Sequence, residues 1–169
     1  MNERYIRQTM IPGIGEAGQE KLKNAKVLIV GIGGLGSPIS LYLTAAGVGQ
    51  IGLIDDDIVS KSNLQRQILY TEAEIGQSKV ECACRRLSAL NSSTRFETYP
   101  NRFTPDNANR LVSAYDIIVD GCDNAATRYL IVDDCFIWKF YPLRTESDLH
   151  IVHIPRYKAT VTKTTYFHV

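Results

Sequence analysis

What the chain lacks narrows its chemistry before any motif is read. No apolar run approaches the ~20 residues of a membrane helix, and Met1–Gln8 is polar, unlike a secretory leader. Both absences point to a cytoplasmic protein with no membrane association. No charge of one sign prevails: 19 Lys and Arg stand against 18 Asp and Glu, a net charge of +1. That balance gives no electrostatic reason to expect nucleic acid or an anionic lipid surface as a partner. Cysteine is sparse and falls in no ligand pattern. Cys82 and Cys84 lie two apart in a helical stretch, on different faces, and Cys122 and Cys135 are isolated, so neither a disulfide framework nor paired zinc ligands are expected. His150, His153 and His168 have no metal-ligand context.

What is present suits one folded core. At 169 residues, 44% hydrophobic and 22% charged, the chain is long enough for a single core and short for two domains. Its centre is KVLIVGIGGLG, Lys26–Gly36. Lys26–Val30 reads as a short buried strand, and Leu35–Ala46 as an apolar helix. Between them lie Gly31, Gly33, Gly34 and Gly36. Glycine there lets the backbone bend sharply and bring its N–H groups close to a ligand, while the helix start offers unpaired donors and partial positive charge to a phosphate. The same stretch also reads as a tight turn that packs a helix on a sheet with no ligand.

Further along, Gln50–Ile54 is a second strand, and Asp55 ends it nineteen residues after Gly36. An acid at that point is where a doubly wound nucleotide fold reaches a ribose hydroxyl; Asp56 and Asp57 read as a solvated loop or as secondary help to a metal. In SKSNLQRQILY, Ser60–Tyr70, one helical turn would bring Asn63, Arg66 and Gln67 to one side, with Leu64, Ile68 and Leu69 inward. Arg66 suits a phosphate oxygen, although an ordinary amphipathic helix reads equally well. Gln77–Asn91 is a helix with Val80, Ala83, Cys84, Leu87 and Leu90 apolar. Lys79 in its first turn opposes the helix dipole unless an anion is near. Arg95–Tyr99 and Asp116–Asp120 are strands, and Pro105–Ser113 is a helix with Asp106 near its cap. Gly121–Asn124 follows at a strand's carboxyl end, where Asp123 would face phosphates across a crevice and carry Mg2+; alternatively, Asp123 or Asn124 simply caps the helix Ala125–Cys135. The fold class is α/β, a Rossmann-like doubly wound, mostly parallel sheet preceded by an N-terminal helix over 15–25.

GIGGLGSP, AAGVG, IDDDIVSKSNLQRQ, IGQSKVE and DGCDNAATR stand in an order and spacing that resembles the ThiF/MoeB/HesA family, bacterial relatives of the enzymes that activate ubiquitin-like proteins. The resemblance covers about Arg4 to Cys135. It implies use of Mg·ATP to adenylate the C-terminal glycine carboxylate of a small ubiquitin-like sulfur-carrier protein, in thiamine or molybdopterin synthesis. By position it implies Gly31, Gly33, Gly34 and Gly36 as phosphate loop and Asp55 as ribose ligand. Asn63, Arg66 and Lys79 fall around the phosphates, with Gln67 beside them, and Asp123 as magnesium ligand. Arg7, by the same resemblance, reaches a partner subunit's nucleotide, which implies a homodimer with Arg7, Arg66, Lys79 and Asp123 as its catalytic set.

The chain divides by this reading into an adenylation half-domain, 1–135, and a divergent tail, 136–169, with strand-like alternation in two pieces. The remaining strands, the catalytic cysteine and the zinc ligands that the resemblance implies do not appear. Trp138–Arg144, back-translated and read one base later, permits Gly-Asn-Ser-Ile-Pro-Tyr-Gly, so a frameshift origin and a truncated family member are expected, with a sheet edge exposed unless the tail covers it and no sulfur transfer by this chain. Two other classes remain: a nucleotide-binding or dimerisation fragment without catalysis, and an NAD-dependent oxidoreductase resting on the glycine loop and Asp55 alone.

Overall fold

Five aliphatic-rich residues without polar alternation build β1, Lys26–Val30, at the centre of the sheet. The computed structural model describes residues 3–137, 141–144 and 150–153, with side chains through 131. β1 is flanked in parallel by β2, Gln50–Ile54, and β4, Ile117–Asp120, and β2 pairs in parallel with β3, Arg95–Tyr99. Two further strands, β5 (Tyr141–Arg144) and β6 (His150–His153), extend the sheet antiparallel beyond β4, in the order β3-β2-β1-β4-β6-β5. The expected edge at β4 is therefore covered, by β6. Residues 1–2, 138–140, 145–149 and 154–169, with His168 and the first three residues of the frameshift reading, lie outside the described residues.

Side-chain alternation along β1 sorts two cores. Val27 and Ile29 face α3 (Gly36–Ala46) and α4 (Lys79–Leu90), while Leu28 and Val30 face α5 (Pro105–Val112) and α6 (Ala125–Ile137). Helices on both faces make the sheet doubly wound, as the sequence predicts. α3 ends where Gly47 adopts φ +86°, a conformation that glycine enters at little cost.

Two short helices precede β1: α1, Ile6–Thr9, and α2, Gly15–Asn24. They are tied to the C-terminal end of α3, where Gln8 and Gln19 each donate to the Ala46 carbonyl (3.2 and 3.0 Å). Tyr5 is buried there too, its hydroxyl accepting from Asn91 Nδ2 at 2.8 Å. This entire N-terminal unit therefore sits at the opposite end of α3 from the glycine loop, about 16 Å away along a helix of this length.

Two local expectations differ. The Ser60–Tyr70 stretch forms a single 3-10 turn at Lys61–Asn63 and then irregular turns, and Ile68 points outward at 61% exposure while Leu69 is buried. α4 buries Cys82 rather than Leu90, because its inward stripe runs through Lys79, Cys82, Ala83 and Leu87. Thr104, in a reciprocal capping box with Asn107, is the N-cap of α5, and Asp106 lies in the first turn beside it, as expected.

Candidate functional site

A cleft of about 680 Å3 opens at the carboxyl ends of β1, β2 and β4, the end at which open α/β sheets take ligands. Its floor is the loop from Gly31 to Leu35. Gly31 sits at φ +87°, and a Cβ there would stand 2.9 Å from the Gly121 carbonyl; a Cβ on Gly36 would collide with the Gly31 carbonyl oxygen. Both positions are closed to any side chain, because three stretches of backbone meet there. Gly33 and Gly34 are packed beneath the side chains of Gln67 and Arg66. The N–H of Gly31 donates to Ile54 (2.9 Å) and that of Gly121 to Val30 (2.8 Å), so the loop is stitched to both neighbouring strands.

One wall is acidic. Asp55 is held by two backbone donors, Ile32 N–H to Oδ2 at 2.7 Å and Asp57 N–H to Oδ1 at 2.9 Å. Burial raises its pKa above the ordinary carboxylate value, while those two N–H groups and the Lys79 charge pull it back down. Asp57 Oδ2 lies 2.7 Å from Lys79 Nζ, and Asp56 pairs with Arg102 at 3.5 Å. The three carboxylates come within 4.8 Å of one another, yet each already has its own donor or cation. Asp56 and Asp57 are thus exposed members of ion pairs on the loop that follows β2.

Cations line the next wall. Asn63, Arg66, Gln67 and Lys79 all border the cleft, gathered by the turn in which the Arg66 and Gln67 N–H groups donate to the Asn63 carbonyl (3.1 and 2.9 Å). Gln67 is 3% exposed, and its Oε1 is buried without a hydrogen-bond partner among the described residues. Lys79 is the first residue of α4 and almost fully buried. The anion that the dipole argument demands is present as Asp57.

Asp123 stands on the opposite rim, exposed at the β4–α6 turn. Asn124, not Asp123, caps α6: its Oδ1 accepts from Thr127 N–H at 2.8 Å. The turn is braced from beneath by Asp120, 1% exposed, whose Oδ1 accepts from the Cys122 N–H (3.0 Å) and thiol (2.8 Å) and whose Oδ2 accepts from Arg128 Nε (3.2 Å). Arg128 also donates to the Cys122 carbonyl at 3.1 Å. Burial, then the Asp120 carboxylate, push the Cys122 thiol up to about 12. A lone exposed carboxylate opposite a phosphate-type loop fits Mg2+, which keeps water and phosphate oxygens in most of its shell.

The structure brings together ten of the eleven residues singled out from the sequence: Gly31, Gly33, Gly34, Asp55, Asn63, Arg66, Gln67, Lys79 and Asp123 line the cleft, and Gly36 supports its loop. Arg7 does not line it; on α1 it belongs to the far end of the sheet. The brace of Asp120 and Arg128 and the pairing of Asp57 carry no local sequence signal, since partners eight and 22 positions apart meet only through the fold.

The sequence model described as the ThiF family matches residues 5–146. The chain belongs to the ThiF family. A relative from Thermus thermophilus named sulfur carrier protein adenylyltransferase is 50% identical over 131 residues, covering 78% of this chain and 48% of the relative. The adenylyltransferase and sulfurtransferase MOCS3 of Culex quinquefasciatus is 49% identical over 148 residues, 88% of this chain and 34% of MOCS3. Among solved structures, the E. coli tRNA N6-threonylcarbamoyladenosine dehydratase TcdA in complex with ATP is similar at TM-score 0.71 and 31% identity, over 74% of this chain and 52% of TcdA. This ThiF-family chain thus spans between a third and a half of the length of the two curated relatives.

Proposed function

We propose that the cleft binds Mg·ATP and serves adenylation of the C-terminal glycine carboxylate of a ubiquitin-like sulfur-carrier protein, of the thiamine or molybdopterin type, in the cytoplasm. The observation that carries this reading is the division of one cleft into an acidic wall at Asp55, cations at Arg66 and Lys79, and a separate carboxylate at Asp123 across the glycine loop. Asp55 accepts from the ribose, and the loop N–H groups face the phosphates. Asn63, Arg66 and Lys79 offset negative charge as the carrier carboxylate oxygen bonds to the α-phosphorus and the α–β P–O bond breaks, releasing pyrophosphate. Asp123 would hold Mg2+, which neutralises phosphate charge.

Arg7, remote from its own cleft, serves the cleft of a second copy in a homodimer. The adenylation half extends over 1–135, with 136–169 as a tail whose β5 and β6 add to the same sheet. Calorimetric titration with Mg·ATP, with NAD as control, tests the reading. The expected result is ATP binding that needs Mg2+ and that Asp123→Ala removes, followed by pyrophosphate exchange with a Gly-Gly-terminated carrier. NAD binding without ATP binding overturns it; ATP binding without exchange leaves a nucleotide-binding module whose catalysis resides in a longer protein.

A further inference from the structure

Lys79 presents an electrostatic problem that the cleft solves with one residue. Its ammonium is on a side chain 4% exposed, at the first position of α4, where helix N–H groups contribute positive potential. A buried cation in that place needs an anion held at fixed distance. Asp57 provides it with its own side chain 67% exposed at the cleft. Its geometry is over-determined: the Asp57 carbonyl accepts from Lys79 N–H at 3.1 Å, the Asp57 N–H is held by Asp55 Oδ1 at 2.9 Å, and the flanking Ile58 and Ser78 form an antiparallel bridge. Val59 N–H to Gln77 (2.9 Å) and Gly76 N–H to Val59 (2.8 Å) continue that pairing. A chain of contacts therefore runs from the glycine loop at Ile32, through Asp55 and Asp57, to the Lys79 ammonium.

We propose that Asp57 is a positioning residue that holds the Lys79 ammonium at the cleft wall for the nucleotide's phosphates; this rests on the reading of Lys79 as a phosphate ligand. An ammonium has three donors. One goes to Asp57, and two remain for phosphate oxygens. Among the described residues the Asp57 carboxylate is hydrogen-bonded to Lys79, so its removal falls chiefly on ligands that carry phosphate. The opposite sign is also physically defined: if Asp57 merely repelled phosphates, its removal would tighten ATP binding.

The experiment compares Asp57→Ala, Asp57→Asn, Lys79→Ala and the Asp57→Ala/Lys79→Ala double variant in the full chain, by calorimetric titration with Mg·ATP and with adenosine, each variant first checked for a wild-type thermal transition. Expected is a loss of ATP affinity of roughly tenfold or more in Asp57→Ala, the size of one hydrogen bond to a charged group, with adenosine affinity unchanged. The double variant should be no weaker than Lys79→Ala alone, since contacting residues in one pathway are not additive. Asp57→Asn, which keeps the shape and an acceptor, should lie between wild type and Asp57→Ala. Tighter or unchanged ATP binding in Asp57→Ala, or equal loss of adenosine, overturns the proposal. A Lys79→Ala variant that binds ATP normally, or a wild-type chain that binds none, overturns the underlying reading as well. Loss in Lys79→Ala without loss in Asp57→Ala overturns only the role of Asp57.

Discussion

At the scale of residues, the cleft separates groups that hold position from groups that remain free to meet a ligand. Cys122 belongs to the first kind. With its thiol pushed up to about 12 by burial and the Asp120 carboxylate, Cys122 holds its proton at pH 8, and the thiolate is the reactive form. In the native chain Cys122 should resist iodoacetamide at that pH while the half-buried Cys84 is alkylated, a difference that peptide mass mapping reads directly and that 8 M urea should erase. Rapid alkylation of native Cys122 would mean that its bond to Asp120 is not made. Asp55 differs: its raised pKa comes from burial, yet two N–H donors keep it an acceptor, suited to a hydroxyl rather than to a cation.

At the scale of elements, loop placement depends on capping. The loop containing Asn101, Arg102 and Phe103 borders the cleft and runs into the cap of α5. There the Thr104 N–H donates to Asn107 Oδ1 (3.0 Å) and Asn107 Nδ2 donates to the Arg102 carbonyl (2.8 Å). Thr104→Ala should cost about 1 kcal/mol and lower the urea midpoint by about half a molar at an m-value of ~2 kcal/mol/M, measured by circular dichroism. An unchanged midpoint would show that Asn107 sustains the loop without its capping partner. Elements of this kind were largely legible in the sequence, because β1, β2 and α3 announce themselves by runs of one period and by the glycines between them. The turns were less so. Lys61–Asn63 is too short for periodicity to distinguish from an α-helical turn, and Ile68 faces outward because the chain leaves that turn irregularly. The Asp57–Lys79 and Asp120–Arg128 contacts follow from strand order and loop pairing, which no local window contains.

At the scale of the whole molecule, the N-terminal unit and the cleft lie at opposite ends of α3. In the proposed function Arg7 serves the nucleotide of a second copy, since it does not line its own cleft. Mixing Arg7→Ala with Asp123→Ala chains, after dissociation and reassembly, should restore Mg·ATP binding to about a quarter of the clefts, because half of randomly paired dimers are mixed and each mixed dimer has one intact cleft. No recovery in the mixture would place Arg7 outside any shared site. The pairing of β6 with β4 also bears on assembly, since a covered strand edge is not available for addition of another chain's strand.

The meeting of Gly31, Gly36 and Gly121 has a mechanical consequence. Backbone from the floor of the cleft and from the rim that carries Asp123 touch without any side chain between them, and the strands beneath are bonded neighbours. The two lips are welded rather than hinged, so the cleft works as a die and not as a jaw. Bringing its lips together would require breaking β-ladder bonds, whereas hinge closure elsewhere is absorbed by a few loop residues. A nucleotide must therefore take the shape of this cavity, and whatever motion accompanies its arrival and departure falls to the loops at 60–75 and 101–103.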